Sequence, residues 1–553
     1  MTRNRNTGTV TPVFLALALG AAAILMFWRW LGAPVVLPGV PGGRLDCLSY
    51  TPFEPGSRTT RTPGWVSPAR IDADLRQLQS YTNCLRVYTP IGTTPDVIRA
   101  AEKLGMQVLL GAWIGSNLEQ NEREVAAALQ LARAHPATIS AIVVGNEVLL
   151  RREMSPGKLA ELIREVRAAS PVPVGYADVA HFIDEAPEVA RAADLLLIHI
   201  LPYWDEPQPP SAAASVAQVF LVHDRFVAHW PGREVMIGET GWPSAGRQRG
   251  PGRPTLLNEA RFLRGFAAEA AARGIRYNLI EAIDQPWKRA AEGTVGGYWG
   301  LLDEYRQPKF ALQGPVSNHP RWRGEAAATG LLFALLLASG LPVRPRAAGW
   351  LAWTTVSLAG AFALVFQWEA AQVTARSVSG WIGAGLAAAA TLAAVGSLRG
   401  MLSSDAQPPA PAASLATVTA ALARPLALLR DPSLRLGAFA GLVMLAAAWI
   451  TIMLAVEPRH TDIPIAAFAL PALALAIRLA GHAGNDQREA AWLAVMLLSC
   501  GLWQLEPTNP ESLAWFAVCL LLALPWGGAL CQEVARLGHG APVPCGAGAN
   551  TRR

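Results

Sequence analysis

The chain has 553 residues, of which 52% are hydrophobic and only 16% charged, with 42 prolines and 49 glycines. A charged fraction this far below the ~25% of ordinary soluble proteins excludes both a single purely soluble domain and a disordered chain, and the length allows about two to four domains. The net charge is +6, from 47 basic and 41 acidic residues, but the arginines are scattered and many flank apolar runs, so no nucleic-acid partner is expected; six cysteines are too few for a disulfide scaffold.

Residues 12–28 (PVFLALALGAAAILMFW) are uncharged and apolar, preceded by Arg3 and Arg5 and followed by Arg29. This pattern reads as a signal anchor. A cleaved signal peptide is the alternative, although Arg29 and Trp30 stand where small residues should precede a cleavage site.

From about 45 to 315 no apolar run is long enough to span a bilayer. Eight short strand-like runs alternate with amphipathic helical stretches: CLSYTPF (47–53), CLRVYTP (84–90), QVLLGAWI (107–114), SAIVVGNE (140–147), VPVGYADV (172–179), LLLIHILPY (195–203), EVMIGETGW (234–242) and YNLIEAIDQ (277–285). Helical patterns such as 122–134 and 258–274 lie between them, the second ending at a capping glycine. Eight strand-helix units in this length match a (β/α)8 barrel, a TIM barrel of class α/β; an open doubly wound sheet is the alternative, because periodicity does not show closure.

Beyond residue 323 the composition changes, and seven apolar runs predict transmembrane helices near 325–341, 347–368, 377–398, 436–456, 463–480, 489–505 and 512–530. The segment 402–420 is Pro/Ala-rich and reads as a flexible loop. With the N-terminus inside, the cytoplasmic loops carry Arg344, Arg346, Arg399, Arg424, Arg430, Arg435 and Arg488, and the tail Arg536, Arg552 and Arg553. The outer loops carry only Arg376 and Arg459. This bias places the soluble domain outside the cytoplasm. The expected organisation is a cytoplasmic N-terminus, anchor and linker over 1–44, the barrel over 45–315, a seven-span helical membrane domain over 324–531 and a cytoplasmic tail over 532–553. No span carries an acidic residue or lysine at mid-depth, which disfavours a coupled transporter.

In a barrel the chemistry sits at the C-terminal strand ends. The fourth predicted strand ends Gly145, Asn146, Glu147 and the seventh ends Gly238, Glu239, Thr240, so two glutamates project toward one mouth. Glycosidic cleavage needs such a pair, one to protonate the leaving oxygen and one to attack the anomeric carbon or activate water. A lone strand-end Glu more often caps a helix or pairs with an arginine; two in these contexts favour the chemical reading.

LRVYTP, VVGNEVL, LPYW and GETGWPS, in this order, resemble glycoside hydrolase family 17, the β-1,3-glucan-active enzymes of a retaining clan with (β/α)8 barrels. The resemblance covers about 45–315. It implies that Glu147 is the general acid/base, Glu239 the nucleophile and Asn146 the residue that binds the substrate 2-hydroxyl. Tyr203 matches the sixth-strand tyrosine near the nucleophile and Lys288 the lysine after the eighth strand, while Glu292 lies near the family's later carboxylate but out of clean register. Gln285 stands where plant members commonly have Glu. Sugar faces stack on aromatic planes, and Tyr50, Tyr88, Tyr203 and Trp242 are the preferred candidates among the strand-end aromatics; barrel packing is the competing explanation.

The weaker signals point elsewhere. Cys47 and Cys84 begin adjacent strands, where a disulfide and two buried thiols are both open. Gly383, Gly385 and Ala388 satisfy GxGxxA inside a predicted span with no preceding strand, so dinucleotide binding is discounted. His199 is expected to be packed or hydrogen-bonded rather than a metal ligand. No cofactor or metal is expected. The resemblance implies a β-glucan polysaccharide or oligosaccharide as substrate, a bacterial inner membrane with the barrel in the periplasm, and a glucan synthase or export machinery as a further partner. Plain endo- or exo-β-1,3-glucanase action and a non-catalytic glucan-binding or export accessory are the alternatives to hydrolysis with sugar transfer.

Overall fold

The computed structural model describes residues 7–54, 66–340, 347–402, 411–480 and 487–530. The chain divides into two compact units, Pro34–Asn318 and Met1–Ala33 with His319–Arg553.

The first unit is a closed barrel of eight parallel strands: β1 (Cys47–Ser49), β2 (Cys84–Val87), β3 (Gln107–Ala112), β4 (Ile139–Asn146), β5 (Val174–Val179), β6 (Leu195–His199), β7 (Glu234–Thr240) and β8 (Tyr277–Leu279). Each pairs with the next in chain order, and β1 closes on β8 through Cys47↔Asn278 and Leu48↔Leu279. Closure decides between the two sheet readings left open by periodicity. All eight strands start within about two residues of the predicted runs; β4 keeps the predicted length and the other seven are shorter, six of them because the C-terminal residues of the run leave the ladder for the loops at the mouth.

The strands are apolar on both faces because both are covered. In β6, Leu196 and Ile198 join the main core under the surrounding helices, while Leu195 and Leu197 join a smaller cluster with Cys47, Cys84, Ala141, Val143 and Met236. Cys47 and Cys84 are bridged by a disulfide within that second cluster. The surrounding helices are delimited by local chemistry. The Thr255 side chain accepts from the Asn258 N–H at the start of Leu256–Arg273, and Gly274 ends that helix with φ +65°, a left-handed geometry that costs glycine little.

The second unit is helical: α1 (Thr7–Leu31), α2 (Trp322–Ser339), α3 (Ala347–Thr374), α4 (Val378–Met401), α5 (Pro432–Val456), α6 (Ile465–Leu479), α7 (Arg488–Trp503) and α8 (Pro510–Ala523), with shorter helices between α4 and α5. Each coincides with one predicted span. Five segments are long and apolar enough to cross a membrane, Val13–Leu31, Gly349–Thr374, Val378–Met401, Pro432–Val456 and Pro510–Leu530. The expectation of eight full-length spans is thus corrected: α6 is apolar but has only 15 residues, α7 has 16, and α2 spends its first turn on Arg323 and Glu325. Part of the predicted 402–420 loop is helical, with a short helix at Leu415–Ala421. The predicted tail at 532–553 lies outside the described residues.

Candidate functional site

The site is built at the C-terminal ends of β2, β4, β6 and β7 around the Arg86 guanidinium, which is 1% exposed. Arg86 Nη2 donates to Asn146 Oδ1 at 2.7 Å. Its Nη1 donates to the Gly238 carbonyl at 2.8 Å and lies 3.3 Å from both Glu239 Oε1 and His199 Nε2. An arginine only donates, so His199 Nε2 accepts and Nδ1 carries the proton that is donated to Glu147 Oε1 at 2.9 Å. One oxygen of each glutamate and a His199 nitrogen lie within 4.8 Å of one another.

Local irregularities aim these side chains. In β7, Met236 faces the inner cluster and Ile237 the outer core, so regular alternation would turn Glu239 outward. The pairing with β6 shifts after Ile198↔Ile237, so that His199 pairs with Glu239 and both reach the same network. Gly238 permits this close approach: a Cβ there would stand 2.7 Å from Leu197 Cβ. At the end of β4, Gly145 has φ +90° and Glu147 φ +54°, a left-handed conformation that costs a non-glycine residue roughly 1–2 kcal/mol. The Glu147 N–H bond to the Ala177 carbonyl, 2.8 Å, holds it there.

Glu239 Oε1 also accepts from the Tyr88 hydroxyl at 2.8 Å, and that hydroxyl lies 2.7 Å from Ser49 Oγ. Asn278 ties Ser49 and the Gly238 carbonyl to β8. With Oε1 held twice, Oε2 is the oxygen of Glu239 left available for chemistry. Burial raises the Glu147 carboxyl, but the interaction with His199 and the charges of Arg86 and Arg151 outweigh it, and the group sits below its ordinary value. Burial beside Glu239 pushes the Tyr88 phenol well up, so it stays a donor.

The sequence-predicted residues separate into three groups. Glu147, Glu239, Asn146 and Tyr88 meet in one network. Lys288 bonds Glu281, at 3.2 Å to Oε2, and its ammonium is held charged by Glu281, Glu292 and Glu239 against the effect of burial. Tyr50, Tyr203 and Trp242 are corrected as open stacking platforms: each is at most 1% exposed. The Tyr50 hydroxyl donates to Asp74, the Tyr203 hydroxyl to the Arg247 carbonyl, and Trp242 Nε1 to the Arg253 carbonyl, while the Trp242 ring stacks on Phe262. A strand-end position does not tell which face a ring takes. Sequence reasoning did not single out Arg86, Ser49, Asn278 or Glu281. For Arg86 a signal existed, since an arginine inside LRV, between two core residues, must be buried with partners.

The Glu147, His199 and Glu239 donors also have the makings of a cation site, but the Arg86 guanidinium already lies against His199 and Glu239 and would repel a metal ion. No metal is needed to satisfy them.

Residues 47–300 match the BtgE/BtgC glycoside hydrolase domain family. BGL2, a glucan 1,3-beta-glucosidase of Candida albicans, is 27% identical over 263 residues, covering 44% of this chain and 85% of that protein. The glucan endo-1,3-beta-glucosidase btgC of Emericella nidulans is 24% identical over 298 residues, 48% of this chain and 45% of its own length. Among solved structures, a family 17 β-1,3-glucanosyltransferase from Rhizomucor miehei is 24% identical, with a TM-score of 0.43 and coverage of 49% of this chain and 98% of that one.

Glu281, Lys288 and Glu292 set two carboxylates against one ammonium. Burial, opposed by Lys288, pushes the Glu281 carboxyl up to about 8. A folded-state value above the unfolded one favours folding while the group keeps its proton, and this contribution is lost as pH rises from about 4.5 through about 8. The melting temperature should therefore fall between pH 6 and pH 9, and Glu281→Gln should flatten that fall; an unchanged slope in the variant would refute the assignment. Residues 47–300 thus carry the match to a BtgE/BtgC glycoside hydrolase domain.

Proposed function

We propose that this chain is a membrane-anchored, retaining β-1,3-glucan-active enzyme that cleaves β-1,3-glucosidic bonds and transfers the glucosyl unit to a sugar acceptor. The observation that carries the reading is the pair of glutamates at the ends of β4 and β7, with one oxygen of each within 4.8 Å and linked through His199. Retaining glycosidases hold their carboxyl groups only ~5–5.5 Å apart, whereas inverting enzymes leave room for a water between them.

In this mechanism Glu239 Oε2 attacks the anomeric carbon as the glycosidic bond breaks, and Glu147 gives its proton to the leaving oxygen. The glucosyl ester on Glu239 is then released when Glu147 takes the proton of the incoming hydroxyl. Arg86 and Tyr88 on Oε1 hold Glu239 oriented, and Asn146, held by Arg86, is placed to bind the 2-hydroxyl. Because His199 favours the ionised form of Glu147, protonation of this acid requires that bond to yield when the glycosidic oxygen approaches. The activities of the two fungal relatives, glucan 1,3-beta-glucosidase and glucan endo-1,3-beta-glucosidase, support the substrate class.

Glu239→Gln should abolish trapping of a fluorinated glucosyl donor, with the wild-type label found on Glu239; a label on another carboxylate would sink the assignment. Glu147→Gln should lose roughly 10²–10⁴-fold on laminari-oligosaccharides but recover on aryl glucosides, whose leaving groups need little protonation. Equal loss on both donors would argue against the acid/base role.

Transfer is favoured over hydrolysis because an enzyme held at a membrane beside its glucan meets a high local concentration of acceptor. Products longer than the starting laminari-oligosaccharide should then form early and increase with substrate concentration. Only shorter products at high substrate would identify a plain glucanase.

The arginine bias supports a cytoplasmic N-terminus with 45–315 outside, in a bacterial inner membrane with a periplasmic barrel; placing both termini in the cytoplasm further requires α2, α6 and α7 to cross together with the five longer segments. The Cys47–Cys84 disulfide supports an oxidising compartment for the barrel. A glucan synthase or export system would be the source of acceptor at this surface. Reporter fusions within 369–376 and 506–511 should report the outer side; cytoplasmic signals there would overturn the assignment.

A further inference from the structure

The helical unit holds a second group of convergent donors, apart from the catalytic glutamates. His319 precedes α2, Glu325 lies in its first turn, and Glu369 lies near the end of α3. His319 Nδ1 is 3.5 Å from Glu325 Oε2 and 3.9 Å from Glu369 Oε1, and one donor atom of each residue lies within 4.8 Å of the others.

Both His319 separations are too long for good hydrogen bonds, which place donor and acceptor about 2.7–3.2 Å apart, while the Glu325 and Glu369 carboxyl groups lie within hydrogen-bond reach of each other. The His319 separations suit donors around a shared ion: two atoms each about 2.1 Å from a metal, at angles between about 90° and 140°, are roughly 3–4 Å from one another. Glu325 Oε2 is sealed from solvent and accepts no hydrogen bond among the described residues. Neither glutamate pairs with a lysine or arginine among the described residues, so two carboxylates converge on one imidazole with no fixed cation.

The surroundings hold the donors in place. The Trp28 ring of α1 meets the His319 ring edge-on, with centroids 5.6 Å apart. Its Nε1 donates to Thr329 Oγ1 at 2.9 Å, and the Thr329 hydroxyl donates to the Glu325 carbonyl at 2.7 Å. One side of the cluster is thus a buried aromatic wall, and α1, α2 and α3 are brought together around it.

We propose that His319, Glu325 and Glu369 bind a divalent transition metal ion, with zinc as the probe. One imidazole nitrogen and two carboxylates form a mixed donor set that suits first-row ions better than calcium or magnesium, which take oxygen donors alone. The ion supplies the positive charge that the carboxylates lack and ties the N-terminal helix to the α2–α3 pair. Under the proposed topology the site lies at the extracytoplasmic end of these helices. The proposal does not depend on the activity of the barrel.

The test is metal content of the full chain in detergent, stripped with chelator, loaded with Zn2+ and dialysed, then measured by elemental analysis. The wild type should retain one equivalent that His319→Ala and Glu369→Gln lose, and Glu325→Gln should weaken binding at least about tenfold. Co2+ should give visible absorption in the wild type that is absent from Glu369→Gln, and Zn2+ should raise the melting temperature of the wild type alone. Glu369→Gln preserves shape and carries the test if His319→Ala does not fold. No retained metal in the wild type would overturn the proposal. Equal retention in the wild type and Glu369→Gln, the result expected if the ion sat on Glu147, His199 and Glu239, would also overturn it.

Discussion

The barrel's chemistry depends on one buried arginine. Arg86 stands inside β2 and reaches across the mouth to Asn146 at the end of β4, His199 at the end of β6 and Glu239 at the end of β7, with the Gly238 carbonyl as a further acceptor. A guanidinium removed from water is costly unless its donors are satisfied, so each partner is as necessary to the arginine as the arginine is to it. The same contacts give the nucleophile candidate a fixed cation and make His199 an acceptor toward Arg86, which leaves its other nitrogen to donate to Glu147. The state of one glutamate is thereby coupled to the surroundings of the other.

The strands are modified to allow this. A regular strand cannot send both Met236 and Glu239 toward the axis, and a shift in pairing supplies the missing residue at the point where glycine lets β7 approach β6. The left-handed backbone of Glu147 serves the same end on β4. Such departures are tolerated because the rest of each strand is locked by core packing on both faces; the strain is confined to the mouth, where it orients side chains.

These features explain which parts of the molecule were legible in the sequence. Strand positions were, since buried runs of β-branched and aliphatic residues between amphipathic helices have few other solutions. The helix positions of the second unit were legible for a similar reason. Their lengths were less so, because composition windows do not see where Arg323 and Glu325 begin α2 or how soon α6 ends. Glu147 and Glu239 stood out by position and motif, whereas His199 was read as packed or hydrogen-bonded with no partner identified. It is packed, but between the two glutamates, and that depends on strand register rather than on neighbours in sequence. Tyr50 and Trp242 illustrate the opposite error: proximity to a motif suggested a substrate surface, while the fold uses both as core with their polar atoms tied to Asp74 and Arg253.

The chain contains two groups made of two glutamates and a histidine, and the difference between them comes from their neighbours. At Glu147, His199 and Glu239 the positive charge is built into the chain as Arg86, which leaves no room for a competing ion beside the proposed nucleophile. At His319, Glu325 and Glu369 no arginine or lysine among the described residues pairs with the carboxylates, and one Glu325 oxygen is sealed from solvent without a hydrogen bond. Charge compensation there must come either from a proton shared among the three groups or from a bound cation. A proton could be held between Glu325 and Glu369, which lie within hydrogen-bond reach of each other, but it would leave His319 at 3.5 and 3.9 Å from both carboxylates, a spacing that an ion among the three would satisfy. The same three side chains can therefore serve covalent chemistry in one place and metal binding in another, according to whether the fold supplies its own cation.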